Sequence, residues 1–381
     1  MRFYIVAGEA SGDLHGSNLV KELLIADTGA EIVCWGGDLM ESAGAKLLMH
    51  YRNTAFMGFI VILKNLRAVL HHISLCKNQV AEYKPNVLIL IDYPAFNLRI
   101  AKFAKESGIK VFYYISPKFW AWREKRVMKI KKWVDRMFII FPFETGFYTK
   151  YGIPVEYMGN PLVDEIERRI SSMPGRSEIL DMLQLENKPV IGILPGSRKD
   201  EIKSILPQII RIVRDFPQHQ FVIAGVKNIP EELYLGITGY TPVKIVTDKT
   251  YEVLNVSEAA LVKSGTSTLE AALFNIPQVV CYKGDFFSML IARILIRVKF
   301  ISLVNLIAGS EVVKELLGYS LNRNNLVKEL SLIIEGGKNR RKMLSDYQIL
   351  MEKLGPAGAS RRIAQAMIGE LRKLNMGKGN K

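Results

Sequence analysis

Residues 189–201 read Pro-Val-Ile-Gly-Ile-Leu-Pro-Gly-Ser-Arg-Lys-Asp-Glu, and this stretch decides the fold. Val190, Ile191, Ile193 and Leu194 form a short apolar run that stops at Pro195-Gly196, which predicts a buried strand ending in a tight turn. Ser197 follows as a helix N-cap with Asp200 three residues on, and Ile202, Ile205, Leu206, Ile209 and Ile210 recur at helical spacing. Strand, glycine turn and helix start together make an anion site. Backbone N–H groups and the positive end of the helix dipole face whatever lies beyond the strand, and Arg198 adds a fork of fixed charge. An ordinary βα turn has the same pattern, so the reading depends on what surrounds it.

The same design opens the chain. Phe3 to Ala7 reads as a strand, Gly8-Glu9-Ala10-Ser11-Gly12-Asp13 as a polar glycine loop and Leu14 to Ala26 as a helix. Glu31 to Trp35 gives a second strand. Val87 to Ile91 and Val111 to Ile115 are continuous apolar runs that end in Asp92-Tyr93-Pro94 and Ser116-Pro117, and Met137–Phe141 and Val155–Met158 complete this half. Runs apolar on both faces and separated by helices indicate a parallel sheet, whose ligands bind beyond the carboxyl ends of the strands. The second half repeats the alternation, with strands near 190–194, 220–225, 243–247, 259–263, 278–282 and 300–303. The fold class is therefore α/β, with two halves that each carry a parallel sheet. The expected division is 1–165, a linker at 166–188 containing Ser171-Ser172-Met173-Pro174-Gly175, a second domain at 189–355, and a C-terminal helix and basic tail at 356–381.

Composition bounds the partners. The chain has 381 residues, 49% apolar and 23% charged, which fits globular domains and excludes a disordered chain. A formal charge of +15 favours an anionic partner: a phosphorylated metabolite, an acidic membrane surface or nucleic acid. The basic residues are scattered among amphipathic helices and not gathered on one aromatic-studded face, which argues against nucleic acid. Cys34, Cys76 and Cys281 lie far apart in apolar contexts, so reduced core thiols are expected. The sequence enters its first strand without a basic leader, and the apolar stretch Ala55–Leu63 is too short to span a bilayer, which needs about 20 residues. A cytoplasmic protein is the expectation.

A third strand, turn and helix start lies at Ala259–Val262 followed by Lys263-Ser264-Gly265-Thr266-Ser267-Thr268-Leu269-Glu270. Ser264, Gly265 and Thr266 would offer hydroxyl and N–H donors to a diphosphate, and Glu270 could accept both hydroxyls of a ribose. Ser267 and Glu270 also have the spacing of a capping box, which is the purely structural alternative.

These motifs, taken together, resemble those of the lipid-A-disaccharide synthases. The resemblance rests on Ala7–Asp13, Asp92-Tyr93-Pro94-Ala95-Phe96-Asn97, Ser116-Pro117-Lys118-Phe119-Trp120-Ala121-Trp122-Arg123, Leu194-Pro195-Gly196-Ser197-Arg198, Ser264–Glu270 and Asn305-Leu306-Ile307-Ala308-Gly309, in that family's order across nearly the whole chain. It implies the GT-B fold, with the active site in a cleft between two Rossmann-like domains. The implied reaction joins UDP-2,3-diacylglucosamine to 2,3-diacylglucosamine 1-phosphate, giving a β-1,6 disaccharide and UDP. Inverting transfer needs a base on the acceptor hydroxyl and stabilisation of the departing UDP, and Asp92 and Arg198 are the candidates. Gly196, Ser197, Arg198, Ser264, Gly265, Thr266, Glu270 and Asn305 are implied on the donor side, and Glu9, Ser11, Asp13, His15, Trp120 and Arg123 on the acceptor side. Structural alternatives stand beside several of these: a helix cap for Asp92, a plain helix position for His15, packing for the tryptophans and a turn for Asn305. Ser310 and Gly318 stand where the family usually has arginine and glutamine, so neither is counted as a donor contact.

No Asp-x-Asp motif occurs in the sequence, and the expectation is catalysis without metal or cofactor. A UDP-N-acetylglucosamine 2-epimerase on the same fold is the competing enzyme reading, and a basic membrane-binding protein the non-enzymatic one. The stretches 56–73 and 286–299 combine apolar positions with Lys64, Arg67, Arg293 and Arg297. They predict reversible attachment to the cytoplasmic face of an anionic inner membrane, against the alternative that both pack in the core. A homodimer is a possible assembly.

Overall fold

The computed structural model describes residues 1–54, 66–120, 124–283 and 299–376. The stretches expected at the membrane, 56–73 and 286–299, therefore lie largely outside the described residues, as does Arg123. The chain divides into two units, one of Met1–Pro161 with Ala357–Lys381 and the other of Leu162–Pro356.

The first unit contains a seven-stranded parallel sheet: β1 (Arg2–Ala7), β2 (Glu31–Gly36), β3 (Lys46–His50), β4 (Val87–Ile91), β5 (Lys110–Tyr114), β6 (Arg136–Ile139) and β7 (Glu156–Tyr157). Their order is β3-β2-β1-β4-β5-β6-β7. Every residue of β4 is buried, as is Phe3 to Ala7 of β1, because helices cover both faces of a parallel sheet. The order reverses between β1 and β4, which pair from Phe3 with Val87 to Ala7 with Ile91. The loops leaving these two strands therefore emerge side by side, at the place where open α/β sheets bind ligands.

The second unit repeats this with six parallel strands: β8 (Val190–Leu194), β9 (Gln220–Gly225), β10 (Val243–Thr247), β11 (Ser257–Lys263), β12 (Gln278–Tyr282) and β13 (Lys314–Leu317). The order is β10-β9-β8-β11-β12-β13, and the reversal falls between β8 and β11, with Leu194 beside Val262. The three cysteines are free and buried.

Several boundaries differ from the sequence expectation. Residues 166–188, expected as a linker, fall within the second unit, and the helices Pro161–Ser172 and Arg176–Met182 occupy most of them. The C-terminal helix Ala359–Met376 returns to the first unit and packs on the helix Ala10–Ala26. Arg136 pairs with Glu370 at 2.7 Å and the Arg362 guanidinium donates to the Met158 carbonyl at 2.9 Å, fixing that return. The first helix begins at Ala10 and not Leu14, because its first turn carries small and polar residues, Ala10, Ser11, Gly12 and Asp13, that read as loop. No strand forms at 300–303. Ser302 instead caps the helix Leu303–Ala308, accepting from the Asn305 N–H, and the edge strand is β13. Among the described residues no helix is long and apolar enough to cross a membrane.

Candidate functional site

In the first unit the site is built at the ends of β1, β4, β5 and β6. Asp92 follows β4 directly, and both Asp92 and Tyr93 have positive φ, 44° and 45°. Two consecutive left-handed residues without glycine are strained, and such strain persists only where the surroundings hold it. Here they do. The Asp92 N–H donates to the Tyr114 carbonyl at 3.2 Å, and its own carbonyl accepts from the Asn97 carboxamide at 2.8 Å and from the Tyr113 hydroxyl. Asn97 also donates to the Ile91 carbonyl at 3.2 Å. With the backbone tied on both sides, the carboxylate is left half-buried at the strand end. Burial first, and then the charge of Glu9, push the Asp92 carboxyl up to about 6, with Lys118 opposing. A carboxylate so poised is ionised at neutral pH and basic enough to accept a proton.

Gly8, at the end of β1, is required by the same arrangement. A Cβ there would lie 2.3 Å from the Tyr93 ring, which packs over the loop and anchors through its hydroxyl to the Thr54 carbonyl at 3.0 Å.

Ser116 after β5 donates to the carboxylate of Glu144, which is 1% exposed. Trp120 Nε1 at 3.0 Å and the Phe141 N–H at 3.1 Å donate to the same group. Burial outweighs these donors and raises Glu144 to about 7. Glu144 thus binds the turns after β5 and β6 together, and it pins Trp120, whose ring also meets Phe143 edge-on.

Not every residue expected on the acceptor side faces outward. Glu9 and Ser11 do, joined by a hydrogen bond of 3.1 Å. Asp13 is 3% exposed and accepts from the N–H groups of Gly37, Leu39 and Met40 at 2.8, 3.2 and 3.1 Å, so it caps the helix Asp38–Ser42. His15 is buried on the helix that carries it. Sequence reasoning missed Asn97, Tyr113 and Glu144, although Asn97 lies in the same motif as Asp92, one turn into the helix that follows it.

In the second unit the turns after β8 and β11 lie side by side. Gly196 has φ of 112°, a conformation that disfavours any other residue. The helix Lys199–Ile210 has Arg198, not Ser197, as its N-cap. The expected Ser197–Asp200 box is absent, because the Glu201 carboxylate takes the Ser197 N–H at 3.2 Å. On the β11 side Gly265 is the N-cap of the helix Thr266–Leu273, so Gly265 and Thr266 open a helix whose first N–H groups have no intrahelical partner. Ser264 contributes less than expected: its N–H goes to the Cys281 carbonyl at 3.0 Å and its hydroxyl to the Ile301 carbonyl at 3.0 Å. Glu270 is no capping-box residue. It is half-buried, accepts from the Tyr251 hydroxyl at 3.1 Å, and its carboxyl is raised by burial.

Asn305 is corrected outright. It is fully buried within a helix, and its carboxamide is saturated: it donates to the Val313 carbonyl and Glu315 at 2.9 Å each and accepts from the Val312 and Val313 N–H groups at 2.8 and 3.0 Å. It holds the turn before β13 and has no hydrogen-bonding capacity left for a ligand. Among the described residues, no group of three or more His, Cys, Asp or Glu side chains is placed to hold a metal ion.

The Asn97 interactions carry a prediction. Asn97→Ala removes the carboxamide donor to the Ile91 carbonyl and one of the two donors to the Asp92 carbonyl, and it should lower unfolding free energy by about 1–3 kcal/mol in urea titration. Loss of turnover in molecules still folded would show that it aims Asp92.

Two parallel sheets, each with a polar turn at its switch point, define the class: a protein of the GT-B fold. Solved structures agree on the fold. The UDP-GlcNAc 2-epimerase from Neisseria meningitidis bound to UDP-GlcNAc aligns with TM-score 0.69 at 15% identity, over 97% of this chain and all of that one. The S. aureus MnaA–UDP structure gives 0.70 at 14%, over 97% of each chain, and the calicheamicin glycosyltransferase CalG4 gives 0.60 at 12%, over 98% of each. The sequence fixes the family within that class. The model for lipid-A-disaccharide synthetase matches residues 3–368. The lipid-A-disaccharide synthase of Geobacter metallireducens is 38% identical over 98% of both chains, and that of Nitrosococcus oceani 37% identical over 99% of this chain and 98% of its own. The chain belongs to the lipid-A-disaccharide synthase family, and it is a hexosyltransferase of lipid A biosynthesis.

Proposed function

We propose that the protein transfers the sugar of UDP-2,3-diacylglucosamine to 2,3-diacylglucosamine 1-phosphate, with inversion, and that the first unit supplies the acceptor side and the second the donor side. Asp92 takes the proton of the acceptor hydroxyl as that oxygen bonds to the anomeric carbon, and the bond from that carbon to the UDP oxygen breaks. Arg198 and the first N–H groups of the helices opening at Lys199 and Thr266 stabilise the charge on the departing diphosphate, and Glu270 holds the ribose hydroxyls. Glu9 and Ser11 line the acceptor loop with Asp92, and Trp120 supplies an apolar wall. The observation that carries the reading is the strained, doubly tied backbone of Asp92, which presents a carboxylate of raised basicity at a sheet switch point.

The test is to incubate the purified protein with both acylated sugars. Disaccharide 1-phosphate and UDP are expected together, and only when the acceptor is present. Inversion at C2 of UDP-N-acetylglucosamine without UDP release would instead support the epimerase. On the donor side, Glu270→Ala should weaken UDP binding by about 1–3 kcal/mol in calorimetric titration, the range for a hydrogen bond to a charged group. Unchanged affinity with a lower melting midpoint would leave Glu270 with a structural role, as the partner of Tyr251 and Ser267.

The acyl chains of the substrates place them in a bilayer, and the charge of +15 supports peripheral attachment to an anionic cytoplasmic surface. Co-sedimentation with anionic vesicles at low salt and release at high salt are expected, since attraction to headgroups is screened within roughly 10 Å at 0.1 M ionic strength. Failure to bind at low salt would contradict a membrane-bound reaction.

A further inference from the structure

We infer that Glu201 is an internal stand-in for the donor's diphosphate and that Lys263, now paired with it, is a donor-binding residue; the inference rests on the donor site proposed above. Glu201 is the third residue of the helix Lys199–Ile210, and its carboxylate folds back over the start of that helix. One oxygen accepts the Ser197 N–H at 3.2 Å, and the other lies 2.8 Å from Lys263 Nζ and 3.9 Å from Arg198 Nη1. An anion touching a turn N–H at a helix start, with a lysine and an arginine beside it, has the surroundings that a phosphate oxygen requires. The glycine at 196 makes room for it: a Cβ there would lie 2.5 Å from the bound carboxylate oxygen.

The two partners come from neighbouring elements. Lys263 ends β11, and Glu201 stands on the helix that follows β8, the strand paired with β11. Both side chains are about one-fifth exposed, 21% for Lys263 and 18% for Glu201, and an ion pair that water reaches contributes little net stability. A diphosphate carries more negative charge than one carboxylate and competes for the same donors. On its entry Glu201 turns away and Lys263 exchanges a carboxylate for a phosphate oxygen. The pair thereby keeps the cationic turn neutralised when empty and releases its lysine when the donor arrives. A simple helix-start contact, in which Glu201 only braces its own first turn, would give no such exchange.

The two roles have opposite signs, which makes them separable. UDP and UMP are titrated by calorimetry into the full-length protein and into Glu201→Gln, Lys263→Gln and the double variant. Glu201→Gln keeps an acceptor for the Ser197 N–H but removes the competing charge, and it should tighten UDP roughly threefold to tenfold. Lys263→Gln should weaken UDP about tenfold or more, with a smaller effect on UMP, and the double variant should fall between the two. Glu201→Gln binding that is unchanged or weaker, or Lys263→Gln within about twofold of wild type, overturns the inference while leaving the donor site standing. A wild-type protein that does not bind UDP removes the donor site and the inference with it. Melting curves accompany each variant, and if Glu201→Gln does not fold, the Lys263→Gln titration decides alone.

Discussion

Replacing Asp92 with asparagine is expected to lower kcat by about 10²-fold or more, the range for losing a general base, while the protein stays folded. The substitution keeps the side chain's size and leaves untouched the backbone hydrogen bonds to Tyr114, Asn97 and Tyr113. Only proton acceptance is lost. In the wild type, kcat/KM should fall tenfold per unit below pH 6 and level off above it, because Asp92 sits at about 6 and acts in its ionised form. The stability effect runs the other way. A carboxyl raised above its ordinary 3.8 is one whose ionised form the fold disfavours, so the penalty is present above about pH 6 and fades as the pH falls toward the ordinary value. Asp92→Asn, neutral throughout, should therefore melt no lower than wild type at pH 8. Steady-state rates with a melting curve check both halves. A folded variant with near wild-type turnover would remove Asp92 from the chemistry.

The second large effect is expected at Arg198. This guanidinium is 65% exposed and stands at the N-cap of the helix that follows β8, beside the turn where the diphosphate is proposed to bind. Charge on the bridging oxygens grows as UDP leaves, so a fixed cation there does more for the transition state than for the bound donor. Arg198→Ala should lower kcat by about 10²- to 10³-fold while the donor's KM changes much less, and Arg198→Lys should recover only part of the rate, since an ammonium lacks the planar fork. The opposite split, a raised KM with kcat intact, would make Arg198 an anchor for the ground state.

The two sheets were legible because their strands are continuous apolar runs punctuated by glycine and proline, and the positions of Asp92, Gly196 and Gly265 beyond strand ends follow from that pattern alone. Other features depend on contacts distant in sequence. Asp13 looked available because it lies in a polar loop, yet it is consumed by N–H groups more than twenty residues away. Asn305 was implied on the donor side, with a turn as its structural alternative, and is a buried strut between a helix and the next strand. Glu144 gave no signal in isolation, since only the folded sheet brings Ser116 and Trp120 to it. β13 was missed because Lys314-Glu315-Leu316-Leu317 lies at a sheet edge and is half polar. The C-terminal helix could be recognised as a helix, but nothing local told which unit it would join.

The proposed mechanism is a division of labour: the base on one sheet, the diphosphate site on the other. The most direct measurement is the UDP affinity of Asp92→Asn, compared by calorimetry with that of wild type. An affinity within about twofold of wild type, in a protein whose turnover has collapsed, is the predicted result. A loss of UDP binding as large as that expected for Glu270→Ala would contradict it, because Asp92 would then belong to the donor site.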